Sequence, residues 1–155
     1  MRVRQYVYFA VKSDVVSAAE MAVRIGLEPD EVTIQGSRSK EPLLPVVHAW
    51  KIVRHAPGAT VDEMISHVVD RLEPVSAAIG ELVAELNHGE TGSSAVMQVV
   101  RYFDGEEGEE EDLRSPHPGL ERLPGQHQLL GWHLDGRLLR FLAATGAELD
   151  VDEYG

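Results

Sequence analysis

The chain has 155 residues, no cysteine, and a formal net charge of −12 from 26 acidic and 14 basic residues. That length suits one domain with a real core, and the missing cysteines exclude disulfides, thiolate metal sites and thiol nucleophiles. Residues 1–54 carry eight bases and six acids, net +2, and residues 55–155 carry six and twenty, net −14, a balance that repels phosphate backbones and argues against a nucleic-acid partner.

The N-terminal run MRVRQYVYFAVKSD places basic residues before apolar ones, yet it alternates and lacks a small-residue cleavage site. It reads as a strand, Gln5 to Val11, and not as a secretory signal. No stretch approaches the ~18 apolar residues of a membrane span. The expected location is the cytoplasm, with no membrane contact.

Ser17-Ala-Ala-Glu20 has the form of a capping box. Ala18, Met21, Ala22 and Ile25 then mark one helical face, and Gly26 stops the helix. Glu28-Pro29-Asp30 turns the chain into a short strand over Val32 to Gln35, followed by the loop GSRSKEPLLP. Val46 to Arg54 is the next strand, and Thr60 to Glu63 forms a second capping box. The face Met64, Ile65, Val68, Val69, Leu72 continues as Val75, Ile79, Leu82, Val83, Leu86. Pro74 between them predicts a kink or a break. Ala95 to Phe103 is a strand, Asp104 to Pro124 is acidic and proline-rich, and Leu129 to Leu134 predicts another strand. Asp135 caps a helix over Leu138 to Thr145, Gly146 stops it, and Leu149 to Tyr154 is the last strand.

The expected architecture is a single α+β domain over 1–155, with residues 104–124 as a loop insertion. It has a six-stranded, largely antiparallel sheet with helices on one face, in an elaborated ferredoxin-like arrangement. Phe9–Ile34 and Gly131–Tyr154 both read as βαβ units, although generic helix-stop signals produce such a match as readily as a duplication does. The expected core is Tyr8, Ala10, Ile25, Ile52, Val68, Leu72, Ile79, Leu82, Val99, Leu142 and Val151.

Ser17-Ala-Ala-Glu20-Met21, Ile25-Gly26-Leu27-Glu28-Pro29, Gly36, Trp50 and Leu149-Asp150-Val151-Asp152-Glu153-Tyr154 together resemble the bacterial domain-of-unknown-function family 4279. The resemblance spans nearly the whole chain, though the segment from Asp104 to Pro124 is longer than the family pattern. It implies a fold and a bacterial origin, and no activity.

Candidate sites are few. DGEEGEEED, Asp104 to Asp112, has hard-cation ligands but Glu109 where a calcium loop needs glycine, so it reads as a solvated loop. Asp150 and Asp152 alternate and so project to one sheet face with Tyr154. With His48 and His133 they are the metal candidates, against the plain reading of a charged edge strand. Gly36, Arg38, Trp50 and Trp132 are the candidates for a ligand or partner surface. There is no G-x-S-x-G, no Walker loop and no G-x-G-x-x-G. No catalytic residue and no cofactor are expected.

The expected role is a non-enzymatic protein-interaction or regulatory domain, met by a partner with a basic patch. An immunity factor against toxins is the analogy. The alternative is a metal-dependent hydrolase or a small-molecule-binding domain using strand carboxylates and histidines. A homodimer through the bare sheet face or an edge strand is also expected.

Overall fold

The computed structural model describes residues 2–37, 44–87, 92–103, 109–110 and 131–155. Its elements are β1 (Arg2–Ser13), α1 (Ala18–Ile25), β2 (Glu31–Thr33), β3 (His48–Arg54), α2 (Val61–Leu72), a single 3-10 turn (Glu73–Val75), α3 (Ser76–Leu86), β4 (Ala95–Phe103), the two-residue β5 (Glu109–Glu110), α4 (Gly136–Thr145) and β6 (Glu148–Tyr154).

Local signals set the helix ends. Thr60 and Glu63 form a reciprocal capping box at α2. At α1 Ser17 Oγ accepts from the Glu20 N–H, whereas the Glu20 carboxylate lies 4.0 Å from Arg24 instead of reaching back. Asp135 caps α4 through the Leu138 N–H. Gly26 and Gly146 end α1 and α4 at φ 78° and 66°, where a side chain would be strained. Pro74 breaks the long crossover into the 3-10 turn between α2 and α3.

The sheet runs β2-β3-β1-β4-β6, with β5 pairing the start of β1 off this path. β2–β3, β3–β1 and β1–β4 are antiparallel, and β4–β6 is parallel. The fold is therefore α+β around one mixed sheet, with five strands on its continuous path instead of the six expected. The missing strand is the expected Leu129–Leu134, of which residues 129 and 130 lie outside the described residues. Residues 131–134 have no regular structure, because the His133 N–H donates to the Asp62 carboxylate of α2, not to a neighbouring strand. Trp132 and Leu134 still pack on the core, which is why their apolar pattern resembled a strand.

That correction also removes the repeated βαβ unit. β1 and β2 are parallel with β3 between them, whereas α4 joins the adjacent parallel strands β4 and β6. The two ends of the chain share helix stops, not topology.

One handedness explains why the helices share a face. β1→β2 runs one way across the sheet, and β3→β4 and β4→β6 run the other way on strands pointing in the opposite direction. Crossovers of a single hand, right-handed by rule, then stack every helix on the same side. The core has that composition: Val7, Phe9 and Val11 of β1, Trp50 and Ile52 of β3, and Met97 and Val99 of β4 meet Met21, Met64, Val68, Leu72, Ile79 and Leu82. Phe9 meets Phe141 of α4 edge-on at 5.6 Å between ring centroids.

Seven of the expected core residues, Ile25, Ile52, Val68, Leu72, Ile79, Leu82 and Val99, are in this cluster, and Leu142 packs against it. Ala10 is fully buried as expected, although it lies on the opposite face of β1 from this cluster. Tyr8 is only partly buried there, and Val151 is 36% exposed on an edge strand. The stretch Asp104–Asp112 lies outside the described residues except for the backbone of 109–110, as does Arg38.

Candidate functional site

The residues of β1 alternate between two apolar sets. Val7, Phe9 and Val11 face the helices, so Arg4, Tyr6, Tyr8, Ala10 and Lys12 face the other way. Register carries this second face across the sheet. Tyr8 lies opposite Val53 and Gln98, Ala10 opposite Lys51 and Val96, Tyr6 opposite Val100, and Arg4 opposite Tyr102. On β6, Asp150, Asp152 and Tyr154 align with Gln98, Val100 and Tyr102. The chain has four tyrosines, and all four stand on this face, which bears no helix among the described residues.

They form a joined patch. Tyr102 and Tyr154 stack at 4.8 Å with 15° between their planes, and Tyr6 and Tyr8 stack at 6.3 Å. The Arg4 guanidinium lies 5.4 Å from the Tyr102 ring centroid and the Lys51 ammonium 5.2 Å from that of Tyr8, both within cation–π range. Gln98 is buried and donates to the Asp152 carboxylate at 3.1 Å.

Burial and charge shift the ionisation of this patch. Burial, followed by Tyr6 and the nearby Asp152 and Asp150 carboxylates, pushes Tyr8 up to about 12. Tyr6 is raised by burial and by Tyr102, with Arg4 opposing. Tyr154 is raised chiefly by Asp152. Burial, then repulsion from Lys51, lowers Lys12. These phenols stay neutral donors across the physiological range.

The candidate metal ligands occupy three separate places. Asp150 and Asp152 share the tyrosine face of β6, as their alternation predicts. His48 shares the helix-side face of β3 with Trp50, three strand spacings from β6, and its Nδ1 accepts from the Gln35 N–H at 3.2 Å. His133 precedes α4 in the helix layer, 77% exposed, with Nδ1 3.6 Å from Asp62 Oδ2. Among the described residues no three His, Cys, Asp or Glu side chains could hold a metal ion together.

His133, Asp62 and Ser66 line a cavity of about 110 Å³ between α2 and α4. No hydrogen bond joins Ser66 to His133, and Arg137 at its rim is occupied by Asp70 and Glu73, each at 2.6 Å. The arrangement offers an acid–histidine pair and no assembled nucleophile.

The candidate partner surface is dispersed as well. Trp50 is fully buried, its indole N–H donating to the Leu27 carbonyl at 3.0 Å, which takes it out of any surface. Trp132 is partly buried against the core, and Gly36 sits in an exposed turn at φ 70°. Sequence reading missed the tyrosine face because either phase of β1 satisfies an apolar strand. The signal available was QYVYFAVK itself, where one phase is Tyr, Tyr, Ala, Lys and the other Val, Phe, Val.

The chain matches the family model described as a domain of unknown function (DUF4279) over residues 3–155, and it belongs to that family. Comparison with curated proteins and with solved structures finds no match. No helix among the described residues is long and apolar enough to cross a membrane.

Proposed function

We propose that this DUF4279 chain is a non-enzymatic protein-interaction domain whose docking surface is the tyrosine-bearing face of the sheet. The observation that carries the reading is the placement of all four tyrosines, with Arg4 and Lys51 over two of their rings, on one face. Tyrosine and arginine are enriched at protein interfaces, since each offers a large apolar body with a polar tip. The Asp150 and Asp152 carboxylates at one edge favour a partner that brings a cation there. The strand order β2-β3-β1-β4, with helices on one side, supports a ferredoxin-like unit extended by α4 and β6. A metal-dependent hydrolase on Asp150, Asp152, His48 and His133 finds no support in their separation.

A photo-crosslinking side chain placed at Tyr154 on the sheet face, and separately at His67 on the exposed side of α2, tests this in the source cells. Defined protein adducts from position 154 and none from position 67 support the reading. Adducts from neither position, or equally from both, overturn it.

A further inference from the structure

The charges on the tyrosine face are divided by side. Lys12 and Lys51 lie on β1 and β3, and neither has a carboxylate within ion-pairing distance among the described residues. Asp150 lies on β6 with no cation within ion-pairing distance among the described residues, its carboxylate accepting from the Val151 N–H, and it acts on Lys12 of β1 at longer range. β3 and β6 are three strand spacings apart, about 14 Å, too far for Lys51 to neutralise the β6 carboxylates within one chain. Lys12 on β1 is two spacings away and is partly offset by Asp150 and Asp152. Glu31 of β2, directly opposite Lys51 in the register, is an acid on the basic side, although no ion pair joins the two among the described residues.

A face with unpaired cations on one half and an unpaired anion on the other complements itself under one symmetry. A twofold axis along the strands, at the β1–β4 boundary, sets β3 over the partner's β6 and β1 over the partner's β4. It preserves height along the strands. Lys51, level with Glu148 through Ala10 and Val96, then meets the second copy's acidic edge, with Asp150 one pleat away at about 6.6 Å. Arg4 meets the other copy's Tyr102, and the tyrosines close over the centre. A twofold across the strands would instead oppose β6 to β6 and place Asp150 and Asp152 against themselves. Aligned packing of two sheet faces also matches the preferred geometry of sheet sandwiches.

We infer that the occupant of the tyrosine face is a second copy of this chain, related by a twofold axis parallel to the strands and held by Lys51 against the partner copy's β6 carboxylates. This rests on the face being a docking surface and specifies what docks. The pairing is isologous, so each ion pair occurs twice.

The test is a charge-swap complementation read by sedimentation equilibrium, with far-UV circular dichroism confirming that each variant folds. The wild-type chain should sediment at twice 17.1 kDa. Lys51→Glu and Asp150→Lys should each weaken the dimer about tenfold or more, because each sets like charges across both contacts. Mixing the two variants one to one should restore association in part, since Lys51 then meets Asp150 at one contact and the two substituted positions meet with opposite charge at the other, while Glu148 stays beside both. A wild-type mass of 17.1 kDa from micromolar to millimolar concentration overturns the second-copy inference. If Tyr154 crosslinks still form with another protein, the interaction reading survives that loss. A dimer indifferent to both variants, or a mixture that stays monomeric, also overturns the inference.

Discussion

Tyr102 and Tyr154 lie face to face across the parallel β4–β6 pair, 4.8 Å between ring centroids and 15° from coplanar. This stack ties the edge strand β6 to the sheet and extends the aromatic patch to the border of the face. Tyr154 nevertheless remains 48% exposed, so it can serve both the fold and a partner.

A double-mutant cycle with Tyr102→Ala and Tyr154→Ala should return a coupling of about 0.5–1.5 kcal/mol, the range for stacked aromatic pairs. Urea unfolding of the four species measures it. Additive losses would mean that the two rings contribute independently.

Absorbance titration of tyrosinate should show a late step. Tyr8, pushed up to about 12 by burial and by Tyr6, Asp152 and Asp150, ionises last and is the step missing from Tyr8→Phe. The folded pKa lies above the ordinary 10.0, so the folded state holds its proton more tightly. Stability from this group is intact below pH 10 and declines as pH rises through 12. Tyr8→Phe should flatten that decline. An unchanged alkaline titration in Tyr8→Phe would contradict the burial of this phenol.

Much of the fold was legible because its signals are local. Thr60 with Glu63, Asp135, Gly26, Gly146 and Pro74 each act within one helical turn, and each set an element end close to where it lies. Strand phase is not local. In β1, Tyr6, Tyr8 and Ala10 satisfy a strand pattern as well as Val7, Phe9 and Val11 do, and only pairing against Ile52 and Met97 decides between them. Trp132 and Leu134 misled for a related reason: apolar contact with the core does not require strand geometry. The candidate site depended on phase, so it was hidden where the helix caps were plain.

Gly80 offers a prediction opposite in sign to helix propensity. Gly→Ala inside a helix ordinarily stabilises by about 1 kcal/mol. A Cβ at Gly80 of α3 would collide with the Ala144 carbonyl oxygen of α4, which is backbone and cannot swing aside. Gly80→Ala should therefore destabilise by about 1–3 kcal/mol, measured by thermal or urea unfolding. A stabilised variant would show that α3 and α4 do not approach this closely.

Asp30 links the turn before β2 to β3 and α2. Its Oδ2 accepts from the Val53 N–H at 2.8 Å and from Arg71 at 2.6 Å. Burial pushes this carboxyl up, but the Arg71 and Val53 hydrogen bonds outweigh it and hold it below the ordinary 3.8. The unfolded chain therefore takes up the proton first, so this stabilisation is present above pH 3.8 and lost as pH falls below it. Asp30→Asn should cost about 1 kcal/mol at pH 7, a modest value for a half-exposed pair. Unfolding measured from pH 7 to pH 3 should show the gap to wild type closing at the acid end. A gap independent of pH would assign the loss to something other than the charge.

Hydroxyl-radical footprinting tests most directly whether the tyrosine face is a docking surface. Oxidation of Tyr154 would be compared between intact source cells and the isolated chain at high dilution, with Leu139 on α4, 52% exposed, as the reference. Tyr154 should be protected several-fold in cells while Leu139 keeps its rate. Equal oxidation of Tyr154 in both settings would contradict a docked sheet face.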